Sequence, residues 1–165
     1  MTPIGHIAIG LAVKPVGKKI PLGVLFAAAW LLDLLYFLFA FAGIESMENI
    51  SNPGAVPSPW SHGLFMAVIW SVVFGLLAWR KGRSRQTGVL IGLTVFSHWM
   101  LDFTFWDNLF LFLDGSPQVG LGLFKALGGS SIFIELGLFL IGIALYWSSR
   151  GGSAFFFLSR RRASQ

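Results

Sequence analysis

The chain has 165 residues, 55% hydrophobic and only 12% charged, with a mean hydropathy of +0.74. These figures exclude a disordered tail, a nucleic-acid module and an ordinary cytosolic enzyme, and they predict an all-α polytopic transmembrane helical bundle. The net charge of +5 does not point to nucleic acid as a partner, because the cations sit in short runs at the ends of apolar segments; with no cysteine, disulfides, thiolate metal sites and a Cys nucleophile are also excluded.

The first apolar segment, residues 3–13, rises only about 16 Å as a helix, roughly half a bilayer. Thr2-Pro3 supplies a capping hydroxyl and a first-turn proline, and Lys14-Pro15 ends the segment. No basic region precedes its apolar run, so it reads as a half-helix or re-entrant piece rather than a secretory signal. Four full spans follow at about residues 20–43, 60–79, 87–106 and 131–148, giving one transmembrane domain over 1–165. The loop 107–130 is apolar and glycine-rich and is expected to fold back onto the bundle. Gly88 and Gly92 form a small-xxx-small pair of the kind that also marks helix dimers. In the basic tail 150–165, Phe155-Phe156-Phe157 followed by Arg160–Arg162 reads as an anchor to anionic lipid.

Lysines and arginines orient the bundle. Lys14, Lys18 and Lys19 precede the first span, Arg80, Lys81, Arg83 and Arg85 join the second to the third, and Arg150 with Arg160–Arg162 follows the fourth. The opposite loops carry Glu45, Glu48, Asp107 and Asp114, with Lys125 as their cation. The basic loops and the C-terminus are therefore expected on the cytoplasmic side of an inner (plasma) membrane.

Ionisable groups at membrane depth are expensive, and each needs a reason. His6, His62 and His98, the three histidines of the chain, all fall in apolar segments, as do Asp33, Asp102 and Glu135. Counted at about 1.5 Å per residue from the basic ends, five of these six groups lie in one layer about 16–25 Å up, and a small shift of the half-helix brings His6 to it. His98 and Asp102, four apart, share a helix face, a common way for one helix to offer two metal ligands. Thr94 extends that stripe, and Ser131 with Glu135 makes a similar pair. His62 stands in the first turn of its span behind Ser58-Pro59, where a neutral imidazole suits metal ligation. Bound metal accounts best for the set; a proton or ion relay, a haem with two axial histidines and a purely structural network are the alternatives. Ser61-His62 and Ser97-His98 are helix neighbours expected to point apart, poor nucleophile–base pairs.

Several motifs occur in order: Gly5-His6 with Gly10, a lone Asp33 after Ala27–Ala29, Trp60-Ser61-His62-Gly63, and Phe96-Ser97-His98-Trp99-Met100-Leu101-Asp102. In these the chain resembles the YdjM-like family of predicted membrane-bound metal-dependent hydrolases, bacterial and archaeal inner-membrane proteins. Gly120-Leu121-Gly122-Leu123-Phe124 and Glu135 further resemble a small bacterial subgroup of multi-pass proteins. The resemblance implies phosphoester hydrolysis, through kinship of that family with zinc-dependent phospholipase C and single-strand nucleases. It implies His6, Asp33, His62, His98 and Asp102 as ligands of one Zn²⁺-like divalent ion. The chain departs from the family pattern in three places, the first being Phe105 and Trp106, where some relatives have a His shortly after the His-xxx-Asp. Leu32-Asp33-Leu34-Leu35 stands where the family often has Pro-Asp-x-Asp, and Pro57 and Ser58 where it often has His-Arg.

The expected function is metal-dependent hydrolysis of a phosphoester or lipid at the outer-leaflet side, with membrane lipid as partner, Glu135 as general base and Trp60 and Trp99 walling the pocket. The alternatives are a non-enzymatic metal- or proton-coupled carrier using the same residues, or a degenerate structural membrane protein. The charge pattern makes one direct prediction: reporter fusions at Arg83 and Asp114 report opposite sides of the membrane, and a common side for both overturns the orientation.

Overall fold

A computed structural model describes residues 3–48, 58–82 and 84–162. Thr2, Pro57 and Arg83 lie outside the described residues, as do the side chains of the tail from 151 onward. In chain order the elements are α1 (Pro3–Val13), α2 (Leu22–Ala29), α3 (Leu31–Phe41), α4 (Pro59–His62), α5 (Leu64–Gly82) and α6 (Arg85–Phe105). A two-residue antiparallel hairpin follows, β1 (Leu109–Phe110) with β2 (Gln118–Val119), then α7 (Leu123–Leu127), a 3₁₀ turn (Gly128–Ser130) and α8 (Ser131–Arg162).

The fold is helical. Three stretches are long and apolar enough to cross a membrane: Leu64–Gly82, Arg85–Phe105 and Leu123–Arg150. The first expected full span, 20–43, is broken. α2 and α3 meet at 55°, and Trp30, at φ −99° and ψ 4°, closes one and opens the other. The pair makes a fourth crossing if it is counted as one bent span. The second span also differs from expectation: α4 is a separate turn, and Gly63 at ψ 142° leaves the helical region before α5 begins. The last helix runs on past residue 148 to Arg162.

α6 is the most enclosed of the long helices. Its buried residues Gly88, Ile91, Val95, His98, Asp102 and Phe105 recur every three or four positions, the spacing of one helix face. That stripe packs on Ile20 just before the bent pair, on Leu25, Ala28 and Leu32 within it, and on Ala67 from α5. The opposite faces carry Leu76, Leu93, Phe133 and Leu140, apolar and exposed, as lipid-facing positions should be. Hydroxyls inside the helices turn back on their own backbone, Ser71 to the Ala67 carbonyl (2.6 Å) and Thr94 to that of Leu90 (2.7 Å), so neither is left unpaired.

The loop 107–130 does fold back. The Phe65 N–H donates to the Leu111 carbonyl (3.0 Å) and the Leu121 N–H to that of Phe103 (2.7 Å), while Leu109 is buried in the core. The ring of Phe124 packs on Phe105 and Trp106.

Gly88 and Gly92 face α5 within the chain instead of presenting a dimer surface. A Cβ at Gly88 would stand 2.7 Å from the Gly75 carbonyl oxygen, and one at Gly92 2.9 Å from that of Ser71. Backbone cannot retreat from such a contact, so Gly88→Leu is expected to cost about 1–3 kcal/mol or more by overpacking. Outward-facing Leu93→Ala should stay within about 0.5 kcal/mol of the parent. Thermal unfolding in detergent, run on both variants, measures the difference.

Candidate metal centre

Four helices deliver five donor side chains to one place. α1 carries His6, α3 carries Asp33 in its first turn, α4 ends on His62, and α6 carries His98 and Asp102. His98 Nε2 lies 3.2 Å from Asp102 Oδ2 and 3.6 Å from Asp33 Oδ1; His62 Nε2 lies 3.5 Å and 3.3 Å from the same two oxygens. The two Nε2 atoms are 3.2 Å apart. The His6 ring stacks on that of His98, with centroids 4.0 Å apart and planes 4° from parallel, and its Nε2 is 3.8 Å from Asp33 Oδ2. His6, His98 and Asp102 are buried; the Asp33 side chain is 41% exposed, so the cluster opens beside α3.

The hydrogen bonds behind the rings fix what the rings present. His98 Nδ1 is 2.8 Å from the Ala29 carbonyl. A carbonyl only accepts, so Nδ1 carries the proton. Ala29 is the last residue of α2, at the bend, and its carbonyl turns to α6 there. Behind His62, Ser61 Oγ lies 2.8 Å from Nδ1 and 2.8 Å from Glu45 Oε2. Glu45 also accepts from the backbone N–H groups of Trp60 and Ser61, at 2.9 and 3.0 Å, which holds a carboxylate at the start of α4. An ionised carboxylate needs a donor, so the Ser61 hydroxyl gives its proton to Glu45 and accepts from His62 Nδ1. In the neutral rings, both Nε2 atoms therefore point bare lone pairs into the cluster. A hydrogen-bonded Nδ1 behind a ligating nitrogen is the usual support of a metal-binding histidine.

Two ring nitrogens and two carboxylates meet here, Asp102 buried and Asp33 partly exposed. Carboxylates this close to ring nitrogens favour positive charge, since an uncompensated buried charge costs several kcal/mol. Two protonated imidazoles would supply that charge, and so would one divalent ion held by the same four groups. The fit is also metric: donors about 2.0–2.1 Å from a tetrahedral ion sit roughly 3.3 Å from one another. The five contacts given above among His62, His98, Asp33 and Asp102 span 3.2–3.6 Å. The atoms that could ligate an ion form two groups of three sharing His98, one with His6 and Asp102 and the other with Asp33 and His62. His6 Nδ1 is buried with no hydrogen-bond partner among the described residues, a further donor atom without an assigned use.

Glu135 is fully buried on α8 but stands outside both groups. Thr94 bonds its own helix, and Ser131 caps the 3₁₀ turn through the Gly128 carbonyl (2.8 Å), so neither joins the donors. Trp60 is partly exposed, and Trp99 is buried in the hydrophobic core between Phe96 and Phe103. The Ser61-His62 pair corrects the expectation that the two side chains point apart. α4 is a single turn ending at His62, and the chain leaves the helix at Gly63, which lets the ring meet the preceding hydroxyl. Sequence reasoning placed Glu45 in a polar loop. Its partners are 15 and 16 residues away, and no local signal marks it.

No known protein family, curated protein or solved structure matches the chain. The centre therefore stands on its own geometry.

Ser61→Ala removes the link between Glu45 and His62 and touches no donor atom. Loss of such a supporting partner typically weakens metal binding 10- to 100-fold. Titration of the purified variant with Zn²⁺ against a competing chelator should show a drop of about that size; an unchanged affinity would mean that Ser61 and Glu45 do not orient the ring.

Proposed function

We propose that the chain is a membrane-embedded, metal-dependent hydrolase acting on a phosphoester, with lipid phosphoesters as the substrate class nearest to hand. The observation that carries the reading is the pair of Nε2 atoms of His62 and His98, 3.2 Å apart and each backed through Nδ1. Neutral rings held in this way are set up to share a cation. His62, His98, Asp33 and Asp102 would hold it, with His6 beside them, and Zn²⁺ suits a nitrogen and carboxylate set without thiolates. When bound, such an ion supplies Lewis-acid polarisation and makes water a nucleophile at neutral pH. The resemblance to the YdjM-like hydrolases supports a phosphoester as the bond broken.

The side chains divide the remaining work. Asp102, buried, anchors charge on the inner side of the cluster, and Asp33 borders the side through which water and substrate enter. Ala29, Ser61 and Glu45 hold the two rings in register. Lys125 is paired with Asp107 at 3.1 Å, on the same side of the bundle as the opening in the proposed orientation. That orientation puts the basic loops in the cytoplasm and the cluster in the outer half of the membrane. Glu135 is the proposed general base.

Purified protein should retain stoichiometric zinc and hydrolyse a generic phosphodiester or phospholipids in nanodiscs, and His98→Ala should lose both while still inserting. Glu135→Gln keeps shape and removes basicity, so it should retain the metal and lose turnover. Loss of metal in Glu135→Gln would make it a ligand instead. Full metal occupancy with no turnover of any phosphoester would point to the carrier or the degenerate scaffold.

A further inference from the structure

At the basic end of the bundle a cavity of about 1000 Å³ lies between the α1–α2 turn, α2, the first turn of α3, α5 and α6, lined by none of the five donors. Its walls are apolar along their length, with Ala27, Leu34, Phe74 and Val95 among them, and its rim carries Lys18, Lys19 and Lys81. The volume is at the upper end of small-molecule sites. The polarity is divided by depth, with cations at one end and hydrocarbon below, rather than mixed as in a site for a soluble metabolite.

The charge at the rim has no partner within the described chain. The three lysines are exposed, and among the described residues none makes an ion pair; the one lysine pair is Lys125 with Asp107. The seven acidic residues of the sequence all stand elsewhere: Asp33, Glu45, Glu48, Asp102, Asp107, Asp114 and Glu135. Lys14, by contrast, is used in the fold, tying the carbonyls of Lys18 and Ile20 at 2.9 and 2.6 Å. That tie holds the α1–α2 turn, and with it Lys18 and Lys19, over the mouth of the groove.

We infer that this groove binds an anionic phospholipid of the leaflet that the basic end faces, its headgroup phosphate on Lys18, Lys19 and Lys81 and an acyl chain laid along the wall towards Val95. Juxtamembrane lysines attract anionic headgroups, and the groove adds an apolar bed directly beneath them. Charge complementarity selects this occupant over others. A second copy related by two-fold symmetry would bring the same three cations face to face. The chain's own tail carries Arg160–Arg162 and is repelled by the same rim. Free phosphate would use the lysines and leave the hydrocarbon wall unfilled. The inference is independent of the proposed hydrolase activity and uses none of its residues.

The test reconstitutes the full chain in vesicles of equal phosphatidylglycerol and phosphatidylcholine, extracts it in mild detergent and counts retained lipid by native mass spectrometry. The wild type should keep phosphatidylglycerol preferentially. The triple variant Lys18→Gln, Lys19→Gln, Lys81→Gln should retain at least tenfold less. Ala27→Phe fills the apolar wall at an exposed position and leaves every lysine in place, and it too should lose the lipid. Thermal midpoints of both variants should match the parent. Equal retention of the two lipids by the wild type overturns the inference. So does undiminished phosphatidylglycerol in Ala27→Phe, which would mark simple surface attraction, or a dimer in place of a lipid adduct.

Discussion

The hydrogen bond from His98 Nδ1 to the Ala29 carbonyl joins the central helix to the bend in the α2–α3 pair, and the polar architecture of the apolar interior depends on it. In a hydrocarbon surrounding no water repairs a broken backbone, so a bend survives only where a side chain takes up the freed group. Here that side chain is itself a donor of the cluster. The same bond settles the bend, the ring's tautomer and the direction of Nε2. Asp33, in the first turn beyond the bend, arrives beside it as a consequence.

The second histidine is held differently. His62 belongs to a one-turn helix, too short to be stable alone, whose first N–H groups are taken by Glu45. The carboxylate satisfies the backbone, orients the Ser61 hydroxyl and, through it, the ring. The two imidazoles thus reach the same contact from unlike supports, a backbone carbonyl on one side and a carboxylate–hydroxyl chain on the other. An arrangement of this kind gives a role to both ring nitrogens of His62 and of His98 in an otherwise apolar interior.

Much of this was legible in the residues, for identifiable reasons. Helices in lipid have a fixed rise, so the position of each ionisable residue in its span translates to depth, and the three histidines with Asp33 and Asp102 could be placed in one layer. The four-residue spacing of His98 and Asp102 fixed their shared face. The bend was not legible, since Ala28-Ala29-Trp30-Leu31 contains neither glycine nor proline and reads as continuous helix. It is a tertiary choice, stabilised by a residue 69 positions away. Glu45 was hidden for the same reason, its partners lying across a loop. Ser61 was misjudged because the neighbour rule for helices holds within a helix, and His62 is where this one stops. The glycines of α6 were recognised as a close-packing pattern, but composition alone does not say whether the partner helix belongs to the same chain.

The close approach of α8 to α1 carries a consequence for the order of the chain. A Cβ at Gly142 would stand 2.6 Å from the Ala8 carbonyl oxygen, so the last helix lies nearly backbone to backbone on the first. The five donors all lie within the first 102 residues. Each therefore precedes in the chain the last helix, which packs on the helix that carries His6. The candidate ligands thus belong to the first two thirds of the chain, and the last third supplies the helix that closes over the one bearing His6.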